Sequence, residues 1–180
     1  VFALLTSCNN DENSSTEMKD RKDIALSRAE EQLANESTEF AFRLFQQVNS
    51  TEKQSNWMIS PLSTSMALGM MANGAAGNTL DEMKSTLGFS DFNLVGMNVY
   101  YQKLITELLN LDNTTQLNIA NSIWIKEGLP IHETFIKANQ EMYDAKVSHI
   151  NFSSPDAKNI INNWCAEKTN NTIKFAKFYH

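Results

Sequence analysis

The stretch 56–83 reads NWMISPLSTSMALGMMANGAAGNTLDEM and contains two helix starts in succession. Ser60-Pro61 joins an N-cap hydroxyl to the residue whose fixed φ and missing N–H suit the first helical position, which predicts a helix beginning there. Leu62, Met66, Met70 and Asn73 recur at helical spacing with Ser65, Gly69 and Ala72 one step round, and Gly74 supplies a stop. Thr79-Leu80-Asp81-Glu82 has the spacing of a capping box and predicts a second helix starting at Thr79. Leu80, Met83 and Leu87 line its apolar face, and Gly88-Phe89 closes it as a Schellman ending.

The first of these helices carries no charge between Ser60 and Gly77, and Ser63, Thr64, Ser65, Gly69 and Asn73 are mixed among its Met and Leu residues. It is therefore expected to be surrounded on most sides by closely packed backbone. Two readings stay open for its hydroxyls: locally satisfied serines in a core helix, or a polar cluster beneath an element that moves.

Upstream, the charged segment 17–31 leads into a helix whose stripe is Leu33, Ser37, Phe40, Ala41, Leu44, Phe45 and Val48. A polar linker, 49–55, precedes Trp57-Met58-Ile59, read as a short buried strand. Downstream, 93–110 is amphipathic through Met97, Tyr101, Leu104, Ile105 and Leu108. The period then changes. Across 117–125, Ile119, Asn121, Ile123 and Ile125 share one face and Ala120, Ser122 and Trp124 the other, the pattern of a strand covered on both sides whose Asn and Ser need buried partners. A helix is expected within 130–143, a strand over 145–152, and a last helix capped by Ser154-Pro155 that ends near Asn170-Asn171. Several helices preceding and flanking strands predict α+β rather than an alternating βαβ chain.

Asn56, Ser60-Pro61, Ser63, Ala67-Leu68, Met70, Gly74-Ala75, Gly77-Asn78-Thr79 and Glu82-Met83 together resemble the second helix and following turn of serpins. Two further blocks agree in order. Residues 117–124, LNIANSIW with Asn121, are similar to that family's central strand, and Ile161-Asn162-Asn163-Trp164 with Thr169 to the helix lying across its main sheet. The likeness runs over 39–174 and covers the N-terminal half of a serpin. It implies helices packed on a central, mostly antiparallel sheet, incomplete in this chain. It also implies a metastable inhibitor whose reactive loop, cleaved by a serine or cysteine protease, inserts into the main sheet and drags the attached protease with it. Asn56, Ser60, Pro61 and Ser63 match the shutter region beneath that sheet, and Asn162 and Trp164 match the helix that must give way. Gly74, Gly77, Thr79, Glu82, Asn121 and Thr169 match structural positions. The reactive loop lies outside these residues. The segment 175–180 does not resemble the family's continuation, and a truncated or frame-shifted reading frame is expected.

Residues 1–8, VFALLTSC, look like the end of a secretory signal, and Leu5-Thr6-Ser7-Cys8 resembles a bacterial lipobox with Cys8 as the lipid attachment point. The polar segment 9–30 then serves as a tether for a domain over 31–180, which implies a membrane-anchored lipoprotein at the cell surface or periplasmic face. Cys165, beside Trp164 on a helical pattern, reads as a small packed hydrophobe. A net charge of -6, with no cluster of Lys and Arg, argues against nucleic acid and against a polyanion site. Enzyme chemistry finds no support. His132, His149 and His180 sit in no motif with a nucleophile, there is no GxSxG, phosphate loop or HExxH, and no cofactor or metal is expected. The alternatives to an inhibitor are a non-inhibitory, serpin-like surface binding lipoprotein and a truncated product without function.

Overall fold

The computed structural model describes residues 2–5 as backbone and residues 22–112 and 115–175 in full. Helix α1 (Arg28–Thr51) starts at a capping box. The Ser27 hydroxyl accepts from the Glu30 N–H at 3.4 Å, and the Glu30 carboxylate accepts from the Ser27 N–H at 2.6 Å. Helix α2 (Pro61–Ala72) has Ser60 as N-cap and Pro61 in its first turn, as expected from the sequence. Helix α3 is Gly77–Leu87.

The start of α3 corrects the sequence reading. Its N-cap is Ala76, with no side-chain cap bond, so Thr79 already lies in the first helical turn and Thr79-Glu82 forms no capping box. Gly77, at φ 55°, turns the chain into the helix, whose N-cap stands three residues before Thr79. The far end follows the Schellman pattern. Gly88 is left-handed at φ 83°, its N–H donates to the Ser85 carbonyl, and the Phe89 N–H donates to the Lys84 carbonyl at 2.7 Å.

Helix α4 (Leu94–Leu109) is bounded by Asn93, whose side chain accepts from the Gly96 N–H, and by Asn110. Strand β2 (Leu117–Lys126), α5 (Glu133–Tyr143) and β3 (Ala145–Ile150) form one crossover unit in which β2 and β3 run parallel, Asn121 opposite Ala145. This single βαβ unit sits inside an α+β arrangement. Strand β1 (Phe2–Leu5) pairs antiparallel with β2, Leu5 opposite Leu117, giving the order β1-β2-β3. Phe2–Leu5, read as the tail of a signal, is thus a sheet strand, and Cys8 lies outside the described residues. Helix α6 (Ala157–Lys168) follows.

The alternation of β2 decides where the helices go. Ile119 and Ile123 pack into the main core with Met66, Met70, Met97, Tyr101 and Tyr143, which come from α2, α4 and α5. Ala120 and Trp124 turn to the other side and meet Ile161, Trp164 and Cys165 of α6, together with Ile150. The strand is covered on both faces, as its residues predict.

Three further expectations are corrected. Residues 57–59 form no strand, and Met58 is 88% exposed. An extended segment needs a neighbouring strand to pair with, and among the described residues none lies beside it. Ser154-Pro155 does not cap α6. It forms a turn in which Ser154 Oγ accepts from the Asp156 N–H, and Asp156 is the N-cap, without a side-chain cap bond. The apolar stripe of α1 is narrower than its spacing suggests, since only Leu33 and Phe40 are buried and Phe45, half exposed, stacks on Trp57 at 4.9 Å between ring centroids.

Candidate functional site: polar groups beneath and above the sheet

At the start of α2 the chain places hydroxyls where a first turn can use them. Ser60 Oγ accepts from the Ser63 N–H at 3.2 Å and donates to Ser63 Oγ at 2.8 Å. Thr64 Oγ1 donates to the Ser60 carbonyl, and Ser65 Oγ to that of Leu62. These bonds all close within α2 and its cap, so each can be exchanged for another partner without unwinding the helix. Ser63 and Ser65 are buried, Ser60 and Pro61 partly so. Asn56 is apart from them, exposed in the loop after α1.

A second group, which the sequence reading did not single out as a site, lies deeper. Asn98 Nδ2 donates to Asn73 Oδ1 at 2.7 Å, Asn73 Nδ2 to Asn139 Oδ1 at 3.1 Å, and Tyr143 Oη to Asn98 Oδ1 at 2.9 Å. Asn139 Nδ2 donates to the Phe135 carbonyl, and Asn121 Nδ2, on β2, to the carbonyl of Tyr143. The chain of bonds ties the end of α2 to α4, α5 and the sheet. A signal for it exists in the sequence. Asn73, Asn98 and Asn139 each stand on or beside the apolar stripe of their helix, where a polar residue needs a buried partner. Burial pushes the phenols of Tyr143 and Tyr101 well above their ordinary range, so both stay protonated, and that of Tyr143 donates to Asn98. The Tyr101 hydroxyl lies against Ser65 but makes no hydrogen bond of full geometry. Gly69 makes room for this layer, because a Cβ there would stand 2.6 Å from Tyr143 Oη and 3.1 Å from the Tyr101 ring. Gly74 is similarly tight against Phe135, whose ring a Cβ would meet at 3.1 Å.

Above the sheet, Trp164 and Asn162 of α6 are buried. Trp164 stands edge-on to Trp124 with ring centroids 6.1 Å apart, and the Trp124 indole N–H donates to Ser122 Oγ. The Trp164 indole N–H and Asn121 Oδ1 are buried without a hydrogen-bond partner. Thr169 is the buried C-cap of the helix. Its Oγ1 donates to the Cys165 carbonyl at 2.7 Å and accepts from the Ile173 N–H at 3.0 Å. Asn170 and Asn171 then take left-handed φ and turn the chain away. Burial pushes the Cys165 thiol up, away from the thiolate a nucleophile needs.

The structure therefore groups Ser60, Pro61 and Ser63 on one side of the sheet and Asn162, Trp164 and Thr169 on the other. Asn121 lies in the strand between them. Gly77, Thr79 and Glu82 are exposed on α3. His132 and His149 are exposed, and among the described residues no His, Cys, Asp and Glu cluster could hold a metal. No helix of the described residues is long and apolar enough to cross a membrane.

Residues 35–176 match the family model described as Serpin (serine protease inhibitor). The chain is 33% identical over 145 residues to Serpin A3-3 of Bos taurus, covering 79% of this chain and 35% of that relative. It is 28% identical to human Neuroserpin over 137 residues, 76% of this chain and 33% of the relative. The crystal structure of the reactive loop cleaved human Thyroxine Binding Globulin superimposes with a TM-score of 0.73 at 28% identity, over 81% of this chain and 44% of that one. The chain thus spans about a third of the length of the curated relatives it matches. The order of α1 to α6 about β2 and β3, and a family model that matches most of the chain, agree: this chain belongs to the serpin family.

Proposed function

We propose that the protein carrying this chain is a serpin-type protease inhibitor that acts on a serine or cysteine protease by inserting a cleaved loop into its main sheet. The observation that carries the reading is family membership together with the hydroxyl cluster of Ser60 and Ser63 at the foot of α2. Insertion needs strands to part. A cluster of hydroxyls that bond one another can exchange partners between two states, whereas a purely apolar contact cannot. Asn162 and Trp164, on the helix above the sheet, belong to the part that must yield.

Incubation of the intact protein with a panel of serine and cysteine proteases tests this. A covalent complex that survives denaturing electrophoresis supports inhibition, while clean cleavage with active protease left over overturns it. In the same protein, Ser60→Phe is expected to let the sheet open too readily, giving polymers or a relaxed, inactive form. A monomeric variant with unchanged inhibition removes Ser60 from the shutter.

A second reading is a non-inhibitory binding serpin. It is favoured by the likeness to a relative whose name states that it binds thyroxine. Cleavage without complex formation would support it. For either reading we propose attachment to a membrane through a lipid on Cys8. Processing before Cys8 would remove Phe2–Leu5 and with it strand β1. An intact mass of the mature protein decides: a polypeptide that begins at a lipid-modified Cys8 supports the anchor, and one that retains residues 2–5 rules it out.

A further inference from the structure

Asn73-Gly74 is the one Asn-Gly pair in the chain. In an unstructured segment such a pair modifies itself, because glycine has no Cβ to hinder its backbone nitrogen from reaching the preceding side-chain amide. Here the pair ends α2 inside the hydrogen-bonded layer, and three features hold it inert. Asn73 Oδ1 accepts from Asn98 Nδ2 at 2.7 Å and Asn73 Nδ2 donates to Asn139 Oδ1 at 3.1 Å, so the side-chain amide is fixed at both atoms. The Gly74 N–H donates to the Met71 carbonyl at 3.0 Å, which engages the nitrogen that would attack. Asn73 itself keeps helical angles, φ -63° and ψ -18°, whereas closing a ring from its side chain onto the next nitrogen needs a ψ outside the helical region. Water is nonetheless within reach. Gly74 is exposed, and both residues line an open cleft of about 510 Å³ with Met71, Ala75 and Phe135.

We propose that Asn73 is a self-modification site gated by this layer: inert while α2, α4 and α5 stay packed, and converted to aspartate or isoaspartate once the end of α2 opens. In the open form the Gly74 nitrogen gives its proton to solvent and bonds to Asn73 Cγ. The Cγ–Nδ2 bond breaks, and Nδ2 takes up a proton from water and leaves as ammonia. Water then adds to either carbonyl of the cyclic imide, giving aspartate, or isoaspartate with the chain running through Cγ; nothing is oxidised or reduced. The product does not fit back into place. A carboxylate still accepts from Asn98 Nδ2 but has no N–H for Asn139 Oδ1, so two acceptors face each other. It also adds negative charge at the C-terminal end of a helix, where the dipole disfavours it. Each opening that runs to completion therefore leaves α2 and α5 permanently less well joined.

The test holds the intact protein at neutral pH, folded in buffer and unfolded in guanidinium chloride. The peptide around Asn73 is followed by mass spectrometry, with fragmentation that separates aspartate from isoaspartate. Folded protein is expected to convert at least about tenfold more slowly than unfolded protein, since only the locally opened fraction reacts. Equal rates overturn the gating, and no conversion in guanidinium chloride overturns the chemistry. Asn98→Ala, which frees Asn73 Oδ1, should speed conversion in the folded protein by about tenfold, the share of one hydrogen bond. Ile161→Ala, beneath α6 on the opposite face, should leave the rate close to that of the parent. An equal acceleration there means that only global unfolding releases the pair, which overturns the proposal. The comparison of folded with unfolded parent decides even where Asn98→Ala does not fold. Asn73→Asp supplies one product directly: amide hydrogen exchange should rise within α5 and stay as in the parent within α6. Unchanged exchange in α5 overturns the loosening of the joint.

Discussion

On the face of the sheet that meets α2, α4 and α5, Asn73, Asn98, Asn139 and Tyr143 form an unbroken chain of hydrogen bonds among buried tyrosines and methionines. On the face that meets α6, the Trp164 indole N–H is buried with no partner, and Asn121 Oδ1 is left over at the strand between them. The apolar groups differ in the same sense. The first face draws on five helices and two strands, while the second gathers Ala120, Ile150, Ala157, Ile161, Trp164 and Cys165 as a separate cluster under one helix. Apart from the Tyr101 hydroxyl, which is buried without a partner, this layer is matched group to group and holds its helices in one arrangement, because any shift strands several groups at once. A helix with unmatched polar groups beneath it gives up less on lifting. The smaller, separate cluster beneath α6 implies that this helix lifts at less cost than the α2, α4 and α5 layer on the other face would come apart.

The largest effect expected from breaking this contrast lies in the matched core. Met66→Ala, at a side chain with no exposure, should cost about 2–5 kcal/mol in denaturant titrations, with Ile161→Ala under α6 costing less. An equal or larger loss at Ile161 would remove the distinction. Next, Asn98→Ala takes both the acceptor from Tyr143 and the donor from Asn73, and should cost about 2–4 kcal/mol with global unfolding as the readout.

The edge of the core is sharpened by pH. Lys103 Nζ lies 2.8 Å from the Glu30 carboxylate, and this bond, with those from Ser27, lowers the Glu30 pKa from 4.5 to about 2. A carboxyl whose folded pKa is depressed contributes stability above its unfolded pKa and loses it as pH falls through the folded one. Glu30→Gln should therefore be less stable than the parent above pH 4.5, by under about 2 kcal/mol for a pair still in touch with solvent. The gap should close as the pH approaches 2, and thermal melts across that window check it. The smallest effect is expected above the sheet. Trp164→Phe gives up some packing but removes an unmatched donor, so stability should change by less than about 1 kcal/mol, in contrast to Asn98→Ala. A loss as large as that of Asn98→Ala would show that the indole N–H is matched in solution.

Much of the fold was legible in local chemistry. Ser60-Pro61 is a helix start in any surroundings, and Asn93 and Asn110 bound α4 where the periodicity placed its ends. The two faces of β2 follow from the pleat alone, and hydrophobic residues on both of them require covers above and below. Gly88-Phe89 closes α3 because only the left-handed position lets the last carbonyls find partners. For the site, the local signals again placed the hydroxyls at the foot of α2.

What the residues in sequence could not show is which of two equally plausible local signals wins. Ser27-Glu30 and Thr79-Glu82 both have capping-box spacing, yet only the first is used. The chain enters α3 already at Gly77, with α3 packed against α1 and α2. Ser154-Pro155 is likewise a sound helix start displaced by a turn. Trp57-Met58-Ile59 has strand composition but needs a partner from elsewhere to become one. The buried network is a tertiary fact of the same kind. Asn73, Asn98 and Asn139 stand 25 and 41 positions apart along the chain, and only the packing of α2, α4 and α5 brings their amides to bonding distance. The sequence by itself determined where helices and strands start, and which faces they bury, because caps and periodicity act over a few residues. Tertiary structure alone decided which polar groups are matched and which are left waiting, because a hydrogen bond depends on position in space to within a few tenths of an ångström.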